Sequence, residues 1–190
     1  MTTVMMGFSI SLDGFIATPE RDDGGLHDWL FGGGTPVEVG GMTFNADSQA
    51  SADVFRDVSD AMGSIIVGRT AFSFGGNDKA MFDLPTFVLS HNAQATAPDA
   101  KVVYVSEGIE RALELARPAA GEKQVCVFGG ASTARQFLAA GLVDELRLTV
   151  VPVLFGDGLR LFDPDTGHRK LELVDSVSTP TVTHLHMRFT

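Results

Sequence analysis

A mixed α/β sheet with helices on its faces is the architecture this sequence predicts, and three observations predict it. Between residues 64 and 151, short apolar runs rich in β-branched residues alternate with amphipathic helical segments, the pattern of strands joined by crossovers. Residues 171–189 instead carry two period-two segments around a turn, which reads as an antiparallel ribbon. The 190 residues hold no repeat, low-complexity stretch or linker, so a single domain over 1–190 is expected.

The elements follow in order. Val4 to Leu12 is a β-rich opening run, closed by the Asp13-Gly14 turn signal. Phe15-Ile16-Ala17 leads into a polar loop, and a short helical turn is expected around Leu26–Leu30. Residues 31–50, with Gly32-Gly33-Gly34 and Gly40-Gly41, read as a long irregular loop. Ser51–Ala61 reads as a helix with Val54, Phe55, Val58 and Ala61 on its inward face. Ser64–Val67 is a strand, Arg69–Phe74 a short helix, and Thr86–Leu89 and Lys101–Val105 two more strands. Glu107–Ala116 reads as a helix capped by Ser106, Gln124–Phe128 as a strand, and Ala131–Ala140 as a helix ended by Gly141. Glu145–Val151, Leu171–Val177 and Thr181–Phe189 complete the strands, with the last turn at Ser178-Thr179-Pro180.

Composition excludes several classes of function. Hydrophobic residues make up 44% and charged residues 20%, as in an ordinary globular protein. No run reaches the ~18 apolar residues of a membrane helix. The N-terminus lacks the basic region of a secretory signal, so a cytoplasmic protein without membrane contact is expected. The formal charge of −10 disfavours nucleic acid as a partner. The lone cysteine, Cys126, sits in an apolar run and reads as a buried small hydrophobe. His184 and His186 alternate on one strand face, but with no third ligand in view no metal site is expected.

Four glycine-marked segments stand at predicted strand ends. They are Ser11–Ala17; Gly68-Arg69-Thr70; Phe128-Gly129-Gly130-Ala131-Ser132; and Gly141–Leu146 followed by Pro152–Gly158. In this order they resemble the dihydrofolate reductase-like family, and most nearly the reductase domain of bacterial riboflavin biosynthesis and its stand-alone relatives. That resemblance implies a three-layer fold with a mixed central sheet of about eight strands, helices on both faces and a C-terminal antiparallel hairpin. It also implies NADPH across the carboxyl ends of the central strands, and hydride transfer to a C=N or C=O bond. The substrate would be a pyrimidine, ribosylaminopyrimidine or pterin-like ring; 5-amino-6-(5-phosphoribosylamino)uracil is one candidate. The zinc deaminase signature that usually accompanies the riboflavin enzyme is absent. A homodimer built on the last strands is a further expectation.

The residues themselves supply the chemistry of these segments. Two glycines, Gly129 and Gly130, followed by a helix start at Ala131 and Ser132, let backbone approach a ligand and offer free N–H groups to a pyrophosphate. The G-x-G-x-x-G fingerprint of dinucleotide sites is not present. Gly68 repeats the device; Arg69 adds a forked cation and Thr70 a cap. The resemblance sets Ser90 and His91 against the cofactor's 2′-phosphate, where a histidine, with its ordinary pKa of about 6.5, gives a pH-dependent charge. It sets Ile16 and Ala17 beside the nicotinamide. Asp13 is the candidate acid of the reaction, although Asp-Gly also serves as a plain turn. The substrate is expected between Asp13, Val54 and the Leu154-Phe155-Gly156 turn. A nucleotide-binding module or sensor without turnover is the alternative, since no acid is secured by motif.

Overall fold

A computed structural model describes residues 2–73, 79–91, 97 and 99–190. Its centre is an eight-stranded sheet. The strands are β1 (Val4–Ser11), β5 (Met62–Gly68), β6 (Thr86–Leu89), β7 (Val102–Val105), β8 (Gln124–Gly129), β9 (Glu145–Val151), β11 (Leu171–Ser178) and β12 (Thr183–Phe189). Their order is β11-β12-β9-β1-β8-β5-β6-β7. Neighbours from β9 through β1, β8, β5 and β6 to β7 pair in parallel, whereas β12 is antiparallel to both β9 and β11. The chain moves outward from β5 to β7 and then returns to insert β8 between β5 and β1, so strand order reverses beside β8. Open α/β sheets bind ligands at the carboxyl ends of the strands at such a reversal.

Strand alternation divides the core between two layers. From β1, Val4, Met6 and Ile10 join β8's Val125 and Val127 and β9's Leu146 and Leu148 on one face. There they meet α4 (Ile109–Ala120) and α5 (Ala131–Ala139), which contribute Ile109, Leu113, Ala116 and the fully buried Phe137. The opposite face is covered by α1 (Asp28–Phe31), α2 (Gln49–Ala61) and α3 (Arg69–Ser73). Phe74, the end expected for α3, lies outside the described residues. Cys126 is wholly buried on this second face with Met5 and Met62, and burial pushes its thiol well above the ordinary range.

Three expectations are corrected. Residues 31–50 are not an irregular loop: β3 (Thr35–Val39) and β4 (Met42–Ala46) form an antiparallel hairpin in register from Thr35–Ala46 to Val39–Met42. Gly40 and Gly41 take φ of +57° and +76°, the conformation a two-residue hairpin turn requires. The hairpin buries Val37, Phe44 and Ala46 against Trp29 and Phe55. Helix α4 begins at Ile109 behind Gly108 (φ 106°), not at a Ser106 cap, and continues through Pro118 to Ala120. Helix α2 buries Ser51, Ala52, Phe55 and Ser59, while Val54 and Val58 turn toward an open cleft. Two short strands, β2 (Phe15–Ala17) and β10 (Leu159–Arg160), pair beside this cleft.

Candidate functional site

A continuous cleft of about 1340 Å³ runs over the carboxyl ends of the parallel strands and down the sheet face beneath α2. Pockets for one small ligand occupy about 300–1,000 Å³, so this cleft has room for a ligand pair. Where β5 ends, Gly68, Arg69 and Thr70 line it; where β8 ends, Gly130, Ala131 and Ser132 do. Ser90 and His91, at the end of β6, also line it, as do Ile16 and Ala17 of β2. The chain therefore brings ten of the eleven residues read as a cofactor site to one wall-to-wall cavity.

Sequence distance is closed here by parallel pairing. Strand β5 pairs with β8 so that Val67 stands opposite Gly129, which sets the two glycine turns side by side. A Cβ added at Gly68 would come within 2.7 Å of Thr133 Oγ1 and 3.5 Å of Gly130 N, so the close approach needs the missing side chain. Gly130 precedes α5 in extended conformation, and a cis peptide joins it to Gly129. Gly129, the eleventh residue, does not line the cleft: at φ 101° its Cβ position faces the Phe8 ring at 2.8 Å. Arg69 is held in place by Tyr104, donating to the phenol oxygen and standing 5.2 Å from the ring centre. Arg135 hydrogen-bonds Ala131 O and pairs with Asp163 at 3.3 Å.

The other half of the cleft is built on the α2 face of the sheet. Gly7 and Ser9 of β1, Arg147 and Thr149 of β9, and His184 and His186 of β12 point there at alternate positions. Helix α2 supplies Asp53, Val54, Asp57 and Val58 from above, and β11 supplies Asp175. Trp29 closes the wall; its Nε1 donates to Ser9 Oγ at 3.0 Å, and its ring meets His184 edge-on at 4.9 Å. His184 is buried and bridges Ser51 and Thr149, with 2.9 Å on each ring nitrogen. Burial holds its pKa below the ordinary value, partly offset by Asp47. Arg147 Nε is buried without a hydrogen-bond partner, and burial lowers the guanidinium pKa against the pull of Glu145, Asp57 and Asp175. Glu145 itself is engaged by His186 at 3.1 Å and by Gln124.

The expected substrate residues divide. Val54 lines the cleft, but Leu154, Phe155 and Gly156 do not. Leu154 is exposed, and Gly156 belongs to a separate surface depression with Asp157 and Arg160. Asp13 is likewise outside the cleft. Its carboxylate accepts from Ser11 Oγ at 2.7 Å, Gly156 N at 2.7 Å and Phe155 N at 3.2 Å. The Ser11 hydroxyl and those two backbone amides hold its pKa at about 2. A group so committed to ionisation braces the 154–158 turn and is a poor proton donor. Arg160 stacks 4.3 Å over Phe15 and donates to Asp13 O, a local structural role. Asp144, whose Oδ2 accepts from Val4 N at 2.8 Å, is also a strand brace.

The missed signal lay in strand composition. Ser9, Arg147, Thr149, Asp175, His184 and His186 interrupt strands whose other faces are Leu, Val, Ile, Met and Phe. Polar residues in alternation on central strands need a shared polar cavity or mutual hydrogen bonds.

With this geometry in view, a family model described as the RibD C-terminal domain matches residues 2–185. The chain belongs to that family. Two Bacillus subtilis (strain 168) proteins described as uncharacterized, YwjB and YyaP, are 25% and 24% identical to it. The first match covers 94% of this chain and 92% of YwjB; the second covers 84% of this chain and 79% of YyaP. A putative riboflavin biosynthesis protein from Shewanella sp. PV-4 superposes with a TM-score of 0.76 at 20% identity, over 100% of this chain and 99% of that one. The deaminase/5-amino-6-(5-phosphoribosylamino)uracil reductase of Thermotoga maritima superposes with a TM-score of 0.67 at 13% identity, and this chain spans 57% of its length. At these identities the two structures share the fold.

Proposed function

We propose that this chain is an NADPH-dependent reductase that delivers hydride to a C=N or C=O bond of a pyrimidine or pterin-like ring. One observation carries the reading: the glycine turns after β5 and β8 open side by side on a cleft that continues past Trp29 beneath α2. The residues present fit the cofactor. Gly68, lacking a side chain, lets the β5 turn close against Thr133 and the Gly130 turn, and α5 starts at the cleft wall with its amides free of side-chain caps. Arg69, Ser90 and His91 would hold phosphate groups, Thr70, Gly130, Ala131 and Ser132 the pyrophosphate, and Ile16 and Ala17 the nicotinamide. The bound nicotinamide would supply the hydride. The chain's own part is to orient both ligands and exclude water. Membership of the family supports a reductase, and the reaction named for the Thermotoga protein is one member of the proposed class.

The displacement of Asp13 from the cleft favours a second reading, a nucleotide-binding module without turnover. One pair of measurements separates the readings. NADPH at ~100 times its Kd stabilises the fold by about 2.7 kcal/mol, which raises Tm by roughly 5–10 °C in a chain of this size. No shift at millimolar NADPH overturns the cofactor assignment. A shift without NADPH oxidation in the presence of dihydropterins and aminopyrimidines favours the module.

The proposal extends to assembly and location. Strand β11 is an exposed sheet edge carrying Leu171, Leu173 and Val174, and a second copy of the chain is its proposed partner. A cytoplasmic location accords with the reduced cysteine, and among the described residues no helix is long and apolar enough to cross a membrane.

A further inference from the structure

With Asp13 outside the cleft, the proposed reduction lacks a proton donor. Carboxylates ordinarily lose their proton near pH ~4, whereas histidine is the side chain that ordinarily changes charge near neutrality. Four of the chain's five histidines line the cleft: His27, His91, His184 and His186. Three of them are engaged or stand elsewhere. Both ring nitrogens of His184 are taken, by Ser51 and Thr149. His186 is held by Glu145 and stands opposite Arg147, well back from the carboxyl end of β9. His91 follows β6, which β8 and β5 separate from β1.

His27 differs on each count. It ends the loop that leaves β2 directly after Ile16 and Ala17. Leu26, fully buried, and Trp29, bonded to Ser9 of β1, anchor the chain on either side of it. The loop is also tied within itself, Thr18 N donating to Asp22 O, and Asp22 accepting from Thr18 Oγ1 and Gly24 N. Asp23 grips His27 twice: one carboxylate oxygen accepts from its backbone N–H at 3.3 Å, and the other meets Nδ1. The bond to His27 holds the Asp23 carboxyl below its ordinary range, so the carboxylate accepts and Nδ1 carries the hydrogen. Nε2 makes no hydrogen bond to a described residue, and the ring is half-exposed in the cleft. Arg21, on the same loop, lines the cleft too, but a guanidinium keeps its protons. An imidazole with one nitrogen fixed on a carboxylate and the other open to a ligand is arranged as a general acid.

We propose that His27, oriented by Asp23, is the proton donor of the reduction. The assignment rests on the reductase reading. As hydride reaches the carbon of the C=N or C=O bond, the π pair passes to the nitrogen or oxygen, which takes the proton from Nε2 of the imidazolium. The two electrons come from NADPH, which ends as NADP⁺. The neutral imidazole keeps its Nδ1–H on Asp23 and regains a proton from water at the cleft mouth. His27 is thus a catalytic residue and Asp23 a positioning one.

One test needs no turnover. Hydride and proton go to adjacent atoms, so a donor in place borders the nicotinamide. Diethyl pyrocarbonate acylates accessible imidazole nitrogens, and mass spectrometry reads each histidine separately. Millimolar NADP⁺ is expected to slow acylation of His27 several-fold and to leave the exposed His168 unchanged. A rise in Tm without protection of His27 overturns this inference and leaves the cofactor reading standing. No rise in Tm overturns that reading, and this one with it. The second test follows NADPH oxidation with 7,8-dihydropterin, whose ring holds a C=N bond. His27→Ala lowers kcat and kcat/KM alike by about 10²-fold or more at unchanged NADPH affinity, and added imidazole restores turnover. Asp23→Asn, which keeps an acceptor but removes the charge, lowers kcat by about tenfold or more at unchanged KM for NADPH. A His27→Ala enzyme within about twofold of wild type, or a loss that imidazole does not relieve, overturns the proposal. If the wild type does not reduce dihydropterin, the acylation result decides.

Discussion

Replacing His184 with alanine tests how the part of the cleft beneath α2 is held in shape. The imidazole joins three elements: Nε2 bonds Ser51 of α2 and Nδ1 bonds Thr149 of β9, each at 2.9 Å, while the ring supports Trp29. A neutral imidazole offers one donor and one acceptor, which two hydroxyls can complement in either tautomer. His184→Ala leaves the buried Thr149 hydroxyl without that partner, whereas Ser51 keeps Ser48 Oγ at 3.3 Å. At about 1–3 kcal/mol for one orphaned group, the cost is about 1–3 kcal/mol before any cavity contribution. His184→Gln retains a donor and an acceptor and costs less than half as much.

The pH dependence adds a signature that lost packing would not give. Burial lowers the folded-state pKa of His184, so below about 6.5 the unfolded chain takes up a proton that the folded chain refuses. Its contribution is therefore full above that pH and is lost as pH falls toward the folded-state value. The limiting slope for one proton is about 1.4 kcal/mol per pH unit. Urea unfolding of wild type and both variants, followed by circular dichroism from pH about 7.5 to 5, measures it. Titrating carboxylates are common to all three proteins and cancel in the difference. Parallel stability curves, or a cost for His184→Ala below about 1 kcal/mol, would refute the reasoning.

Two other outcomes follow from the same structure. Asp13→Asn keeps kcat within about twofold, because losing a general acid would instead cost about 10²–10⁴-fold; steady-state kinetics decide. The same variant loses the stability that wild-type Asp13 confers above pH about 4 and gives up as pH falls toward about 2, which acid denaturation detects. Leu173→Lys, on the exposed edge strand, converts the proposed dimer to a monomer in sedimentation velocity; an unchanged sedimentation coefficient removes β11 as the interface.

Most of the sheet was legible in the chain. Thr86–Leu89 and Glu145–Val151 coincide with their predicted bounds, because apolar runs flanked by turn residues state their own limits. The hairpin at residues 35–46 was not, although Gly40-Gly41 is a hairpin turn. Its strands alternate with Pro36, Glu38 and Asn45, and their apolar face is defined only by Trp29 and Phe55 packing against it. The cap of α4 was misread because Ser106 had the right chemistry, while Gly108 supplied the left-handed backbone the chain needs there.

What the sequence determined by itself was local: where chain reverses, which runs are strands, and which turns can bring bare backbone to a ligand. Those depend on steric limits and side-chain period, which act over a few residues. Only the tertiary structure decided which strand ends share a cleft. It set Asp13 aside as a brace and lined the cleft beneath α2 with Ser9, Asp57, Arg147, Asp175 and His184. Those residues lie far apart in the chain, and parallel pairing together with the crossing of α2 over the sheet brings them to one face, a juxtaposition no window of sequence contains.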